Sequence, residues 1–322
     1  VLPVIIFFSA LISILYYLGI MQWVIRKIGW LLQKVLGTSK VESMSAAANI
    51  FLGQTEAPLV IRPYLEKMTQ SELFAIMTSG MATVAGSVLG AYVSMGVPAE
   101  YLIAASVMSA PGGLIFAKLI YPETEESKEE SDDSVKLEEE EEQNFIDAAA
   151  NGAMAGLKIV LNIAAMLIAF VALIAFINGI LSWIGGLFGY EGLTFQMIFG
   201  YIFAPLAFLM GVPWNDEAML VGQLIGQKLV INEFVAYMNL SQYLQNNKAG
   251  VWVGKQWLSP RTEAIVTFAL CGFANFSSIG ILIGGLGGLA PERRSDVIAR
   301  LGLRALIAGT LANFMSACIA GI

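Results

Sequence analysis

The stretch Gly226–Tyr237, GQKLVINEFVAY, places a carboxylate, Glu233, beside Asn232 inside an apolar run. The chain around it is 57% hydrophobic and only 13% charged, with a mean hydropathy of +0.71. That is too apolar for an ordinary soluble domain. Charge-free runs approach or exceed the ~20 residues that a helix needs to cross ~30 Å of hydrocarbon. They are Val1–Val24, Leu73–Gly96, Tyr101–Ala117, Ile159–Gly185, Ala264–Leu286 and Ala305–Ile322. Backbone at that depth must satisfy its own hydrogen bonds, so these runs predict helices. The 32 glycines suit close helix packing, as in GMATVAGSVLGAY. The expected fold class is an all-α integral membrane protein.

Glu233 has a counterpart. LGTSKVESMSAAANIFLGQTEAPLVI (Leu36–Ile61) parallels MGVPWNDEAMLVGQLIGQKLVINEFVAY (Met210–Tyr237). In each, a Gly and a short acidic stretch precede a helix start, and a lone carboxylate, Glu56 or Glu233, follows about twenty residues later. FAIMTSGMATVAGSV (Phe74–Val88) likewise parallels EAIVTFALCGFANFSSIG (Glu263–Gly280), with Thr83 and Asn275 at matching places. The chain therefore reads as two repeats.

The carboxylate segments do not read as simple spans. Gly53 and Pro58 interrupt the first, leaving pieces of ~10 residues, each ~15 Å long and half a bilayer. Residues 42–65 are expected to form a re-entrant hairpin. Residues 215–241 read likewise, although no Pro or Gly marks their turn. Each half becomes a span, an interfacial helix (Ile28–Gly37, Phe195–Gly211), a hairpin and two further spans, one of them broken. Three crossings per half invert the second half relative to the first, an arrangement of secondary transporters. The expected organisation is a first repeat over 1–120, an acidic loop over 121–147 and a second, inverted repeat over 148–322.

The net charge of −7 comes from that loop, whose thirteen acids and two lysines give −11. It reads as a solvated linker. Fourteen of the 18 Lys and Arg fall on the side of the first hairpin and acidic loop, which the positive-inside rule makes cytoplasmic. The C-terminus would then be extracytoplasmic and the protein a multi-pass component of the cell inner (plasma) membrane. The chain starts with Val and lacks a charged n-region, so no signal peptide is expected, and the missing Met suggests a trimmed N-terminus. The two cysteines imply no disulfide framework. With no histidine and no Asp inside a span, intramembrane zinc and paired-Asp protease chemistry lack their residues.

A carboxylate at bilayer depth costs at least ~2.5–3.5 kcal/mol, and such groups mark function. Gln54, Thr55, Glu56, Asn232 and Glu233 offer donors and acceptors to a polar, neutral, hydroxyl-rich ligand. Neither tip carries Arg or Lys, which argues against an anion; Arg62 and Lys228 lie more than a turn back. Thr83 and Ser87, and Asn275, Ser277 and Ser278, supply polar groups behind the hairpins. Phe273 and Phe276 could face a planar ring.

GQKLVINEFVAY resembles the signature of the concentrative nucleoside transporters at every defined position, and GQTEAPL, MATVAGSVLGAY and ANFSSIGILIGG also resemble that family. The likeness spans essentially the whole chain. It implies a homotrimer with one site per subunit and no nucleic-acid partner. It implies that Gln54, Thr55 and Glu56 face the base of a nucleoside such as uridine and that Val88 packs on it. Glu233, Asn275 and Ser278 would hold the ribose, and Phe273 would line the pocket. Sodium, the coupling ion, would bind main-chain carbonyls near Asn49, Leu52 and Val84 and the Thr83 hydroxyl; no other cofactor is implied. Bacterial members of the family have two further helices before the segment that opens this chain, so a trimmed or shortened member is expected. Sodium symport by alternating access is the main expectation. Proton coupling through Glu56 or Glu233 and a passive nucleoside channel remain alternatives.

Overall fold

In a computed structural model, residues 2–125, 144–190, 192–249, 258–291 and 298–322 are described. Most of the acidic segment and of PERRSD lies outside them. All regular structure among the described residues is helical.

The chain opens with α1 (Leu2–Tyr17) and α2 (Ile20–Leu36), which meet at 81°. The expected span Val1–Val24 is therefore cut short. Gly19 adopts φ 74°, a left-handed conformation that favours glycine, and the chain turns there. The expected interfacial helix starts at Ile20 rather than Ile28. Its buried stripe is Met21, Ile25, Gly29 and Leu32, while Trp23 and Trp30 are exposed. The Lys34 ammonium sits 5.1 Å from the Trp30 ring centroid. Amphipathic helices that rest at a membrane surface carry this pattern.

Helix α3 (Lys40–Asn49) is followed by an irregular turn and a 3-10 segment, Ala57–Tyr64. A capping box starts α3: Ser39 Oγ accepts from Glu42 N, and Ser39 N donates to Glu42. Pro58 and Pro63 explain why the return arm is not α-helical, since neither can donate to an i−4 carbonyl. Helices α4 (Gln70–Ala82) and α5 (Gly86–Ser94) form one apolar stretch interrupted at Thr83–Ala85, and α6 (Ala99–Ile120) follows.

Helix α7 (Phe145–Leu187) has 43 residues and is thus ~65 Å long, about twice the hydrocarbon thickness. Helices α8 (Phe195–Leu209) and α9 (Asp216–Val230) pack closely, and a Cβ on Gly222 would come within 2.7 Å of the Ala204 nitrogen. Helix α10 (Glu233–Ala249) begins after a two-residue break at Ile231–Asn232. The apolar run Ala264–Leu286, whose polar cluster with nearby Gly suggests an interrupted helix, is two short helices, α11 (Pro260–Leu270) and α12 (Phe276–Leu289). Asn275 N-caps α12 by accepting from Ser278 N at 2.9 Å, which makes the break a designed start rather than a kink. Helix α13 (Ala299–Ala320) ends the fold.

Two apolar cores result. One combines α3, the 3-10 segment, α4 and α6 with Leu282 and Leu286 of α12. The other combines α9, α10 and α11 with Val88, Ala91 and Tyr92 of α5. The second half of each interrupted helix, α5 or α12, thus shares a core with the opposite hairpin.

Candidate functional site

The breaks line a half-open cavity of ≈ 190 Å³. Gln54, Thr55, Glu56, Val88, Glu233, Phe273, Asn275 and Ser278 all line it, drawn from segments up to 224 residues apart. Ser277 joins them, and Ile159, Ile163, Met166 and Leu167 of α7 form an apolar wall.

Local helix chemistry places the polar groups. Asn232 caps α10, its Oδ1 accepting from Val235 N at 2.9 Å, which starts the helix without Pro or Gly. Glu233 therefore stands in the first turn of α10, where the unpaired N–H groups and helix dipole favour a carboxylate. Tyr92 donates to Glu233 Oε1 at 3.3 Å and Asn275 Nδ2 donates to Oε2 at 3.0 Å. Each carboxylate oxygen retains acceptor capacity beyond that bond. Tyr92 is itself fixed by stacking on Tyr237, with ring centroids 4.2 Å apart, and Tyr237 donates to the Thr267 carbonyl at 2.7 Å.

Across the cavity, Gln54 Nε2 donates to Ser278 Oγ at 3.2 Å, and Gln54 Oε1 is a buried acceptor with no partner. Glu56 Oε2 accepts from Gly53 N at 3.1 Å, which closes the turn of the first hairpin. Glu56 also borders a second cavity of ≈ 430 Å³, lined by Ser9, Ser13 and Asn151 among others. The arrangement can accept hydroxyl hydrogens at Glu233 and satisfy a planar polar group at Gln54.

Of the residues expected at sodium, Asn49, Thr83 and Val84 are fully buried behind the cavity and Leu52 faces the second cavity. Gly86 N donates to the Phe51 carbonyl at 2.9 Å, tying the first hairpin's turn to the break in α4–α5. Asn49 Oδ1 has no hydrogen-bond partner, and Thr83 Oγ1 donates to the Ser79 carbonyl, leaving its oxygen as an acceptor. These oxygens suit a hard monovalent cation.

Sequence reasoning missed Tyr92, the α7 wall and a buried pair, Lys228 and Asn313. The signals were weak: a tyrosine at the end of an apolar run, an i, i+4, i+7, i+8 stripe, and single polar residues inside apolar sequence.

Residues 1–99 match the family described as "Nucleoside recognition", and residues 101–321 that described as "Na+ dependent nucleoside transporter C-terminus". An uncharacterized transporter of Haemophilus influenzae is 63% identical over all of this chain and 75% of its own length. Sodium/nucleoside cotransporter 1 of Homo sapiens is 56% identical, and this chain spans half of its length. The solved structure of CNTnw in an inward-facing substrate-bound state is 58% identical, with a TM-score of 0.92 over all of this chain and 74% of that one. A variant of CNTnw in an outward-facing state gives a TM-score of 0.94 with the same coverage. These relatives are transporters rather than enzymes. The chain belongs to the concentrative, Na+-dependent nucleoside transporter family.

Proposed function

We propose that the protein is a sodium-coupled nucleoside symporter working by alternating access. The observation that carries this reading is Glu233, held by Tyr92 and Asn275 in a cavity that also presents Gln54. Glu233, Asn275 and Ser278 would bind the ribose hydroxyls. Gln54, Thr55 and Glu56 would read the base, with Val88 and Phe273 packing on the ligand. Gln54 Oε1, buried without a partner, supports this because a base N–H would satisfy it. Sodium would bind at the Asn49, Leu52, Thr83 and Val84 oxygens. The two repeats would be inverted, as in other secondary transporters, and the site would lie at their interface. We place the first hairpin and acidic loop on the cytoplasmic side of the plasma membrane and the C-terminus outside. A homotrimer is part of the same reading.

Uridine binding to the purified protein tests it. Titration in sodium and in choline should show sodium-dependent affinity. Loss of the ribose 3′-hydroxyl should weaken binding to the native protein but change little in Glu233→Gln, whereas Glu56→Gln should alter base preference or cation dependence. Equal binding of uridine and its 3′-deoxy analogue by the native protein would contradict the assigned ribose contact.

A further inference from the structure

Lys228 is fully buried, yet it does not line the nucleoside cavity. Its ammonium donates to the Ala269 carbonyl at 2.8 Å and to Asn313 Oδ1 at 2.7 Å. Ala269 lies in the last turn of α11, where the break at Cys271 deprives the carbonyls of their next-turn donors and the helix end is negative. Asn313 Nδ2 donates in turn to the Ala82 carbonyl at 2.6 Å and the Cys271 carbonyl at 2.8 Å. One ammonium and one amide thus join the C-terminal ends of both interrupted helices, α4 and α11. Gly272 makes this possible, since a Cβ there would overlap the Asn313 side chain. Lys228 stands in the last turn of α9 and Glu233 in the first turn of α10, on either side of the Ile231–Asn232 break.

Among the described residues the first hairpin has no buried Lys or Arg; its Arg62 is exposed. Lys228 stands five residues before Glu233, while Phe51 stands five residues before Glu56. Helix α4 ends against the first hairpin with the oxygens of Asn49 and Thr83 and, among the described residues, no buried Lys or Arg of that hairpin. We infer that Lys228 is a tethered cation, doing for the second interrupted helix and Glu233 what a bound sodium ion does for the first. An ammonium and a sodium ion are both monovalent cations that bind carbonyl and amide oxygens. Lys228 is a positioning residue: it ties the α9 end, five residues before Glu233, to Asn313 and the α11 end. The inference rests on the sodium reading of the first hairpin.

Two substitutions separate charge from space. Lys228→Met removes the charge and fills the volume; Lys228→Ser removes both and leaves room for an ion. With uridine binding measured across sodium concentrations, Lys228→Met should be weakened about tenfold or more throughout. Lys228→Ser should be as weak at low sodium but recover as sodium rises, with a log–log sodium slope steeper than the native protein's by about one. Its melting temperature should also rise more with sodium than that of either other protein, a readout that needs no nucleoside. If Lys228→Ser tracks Lys228→Met in both measurements, the tethered-cation role is wrong. If the native protein shows no sodium-dependent uridine binding, the proposed function fails, and the melting comparison still judges Lys228. Should both variants fail to fold, the double variant Lys228→Met/Glu233→Gln decides. Recovery of folded protein supports charge compensation, and no recovery overturns it.

Discussion

Glu233 carries the account at the level of single residues. Its two oxygens are held by Tyr92 and Asn275, so its direction is set before any ligand arrives, which limits the ordering cost of binding. Hydrogen bonds to a charged partner contribute ~1.5–3 kcal/mol. Glu233→Gln is therefore expected to lower uridine affinity by about tenfold to a hundredfold in a calorimetric titration, with the protein still folded. Glu233 was legible in the sequence because a lone carboxylate in apolar surroundings is costly and stands out. Its partner Tyr92 was not, because it lies 141 residues away and only the tertiary fold brings it in. Lys228 was visible within the opening stretch, but its bond to Asn313 spans 85 residues, and nothing local announces it.

The elements follow one rule: helix starts face the cavity, and helix ends gather oxygen acceptors. The first turns of α10 and α12 present Glu233, Ser277 and Ser278 to the cavity. The ends of α3, α4 and α11 carry Asn49, Thr83 and the carbonyls joined to Lys228 and Asn313. Asn232 replaces the Pro or Gly whose absence left the second hairpin's turn unmarked in the sequence. Asn232→Ala should cost about 1 kcal/mol as a lost N-cap, read as a lower melting midpoint. Gly272→Ala would force Asn313 aside. It should destabilise by about 1–3 kcal/mol and weaken sodium-dependent uridine binding, because overpacking here displaces the amide that links both helix ends. Apolar runs located the helices, but their ends depended on local chemistry that composition does not report. The α1–α2 turn rests on the left-handed conformation of Gly19, and the α11–α12 break on the Asn275 cap.

For the whole molecule, the exchange of α5 and α12 between the two cores matters most. Each core contains an element from the opposite half, so movement of one hairpin against its surroundings would be felt across the cavity. On the proposed reading, that would couple an ion site on one side to a nucleoside on the other. The all-helical membrane class could be read from hydropathy. The core exchange could not, because it depends on which broken half-helix packs where. Each sodium ion moving inward down 100 mV would supply ~2.3 kcal/mol besides its concentration gradient, enough for well over tenfold accumulation. The most direct test is uptake of radiolabelled uridine into proteoliposomes under an inward sodium gradient, with choline or a proton gradient in its place as controls. The account predicts accumulation above equilibrium with sodium alone. Equal uptake without sodium, or equilibration without accumulation, would contradict it.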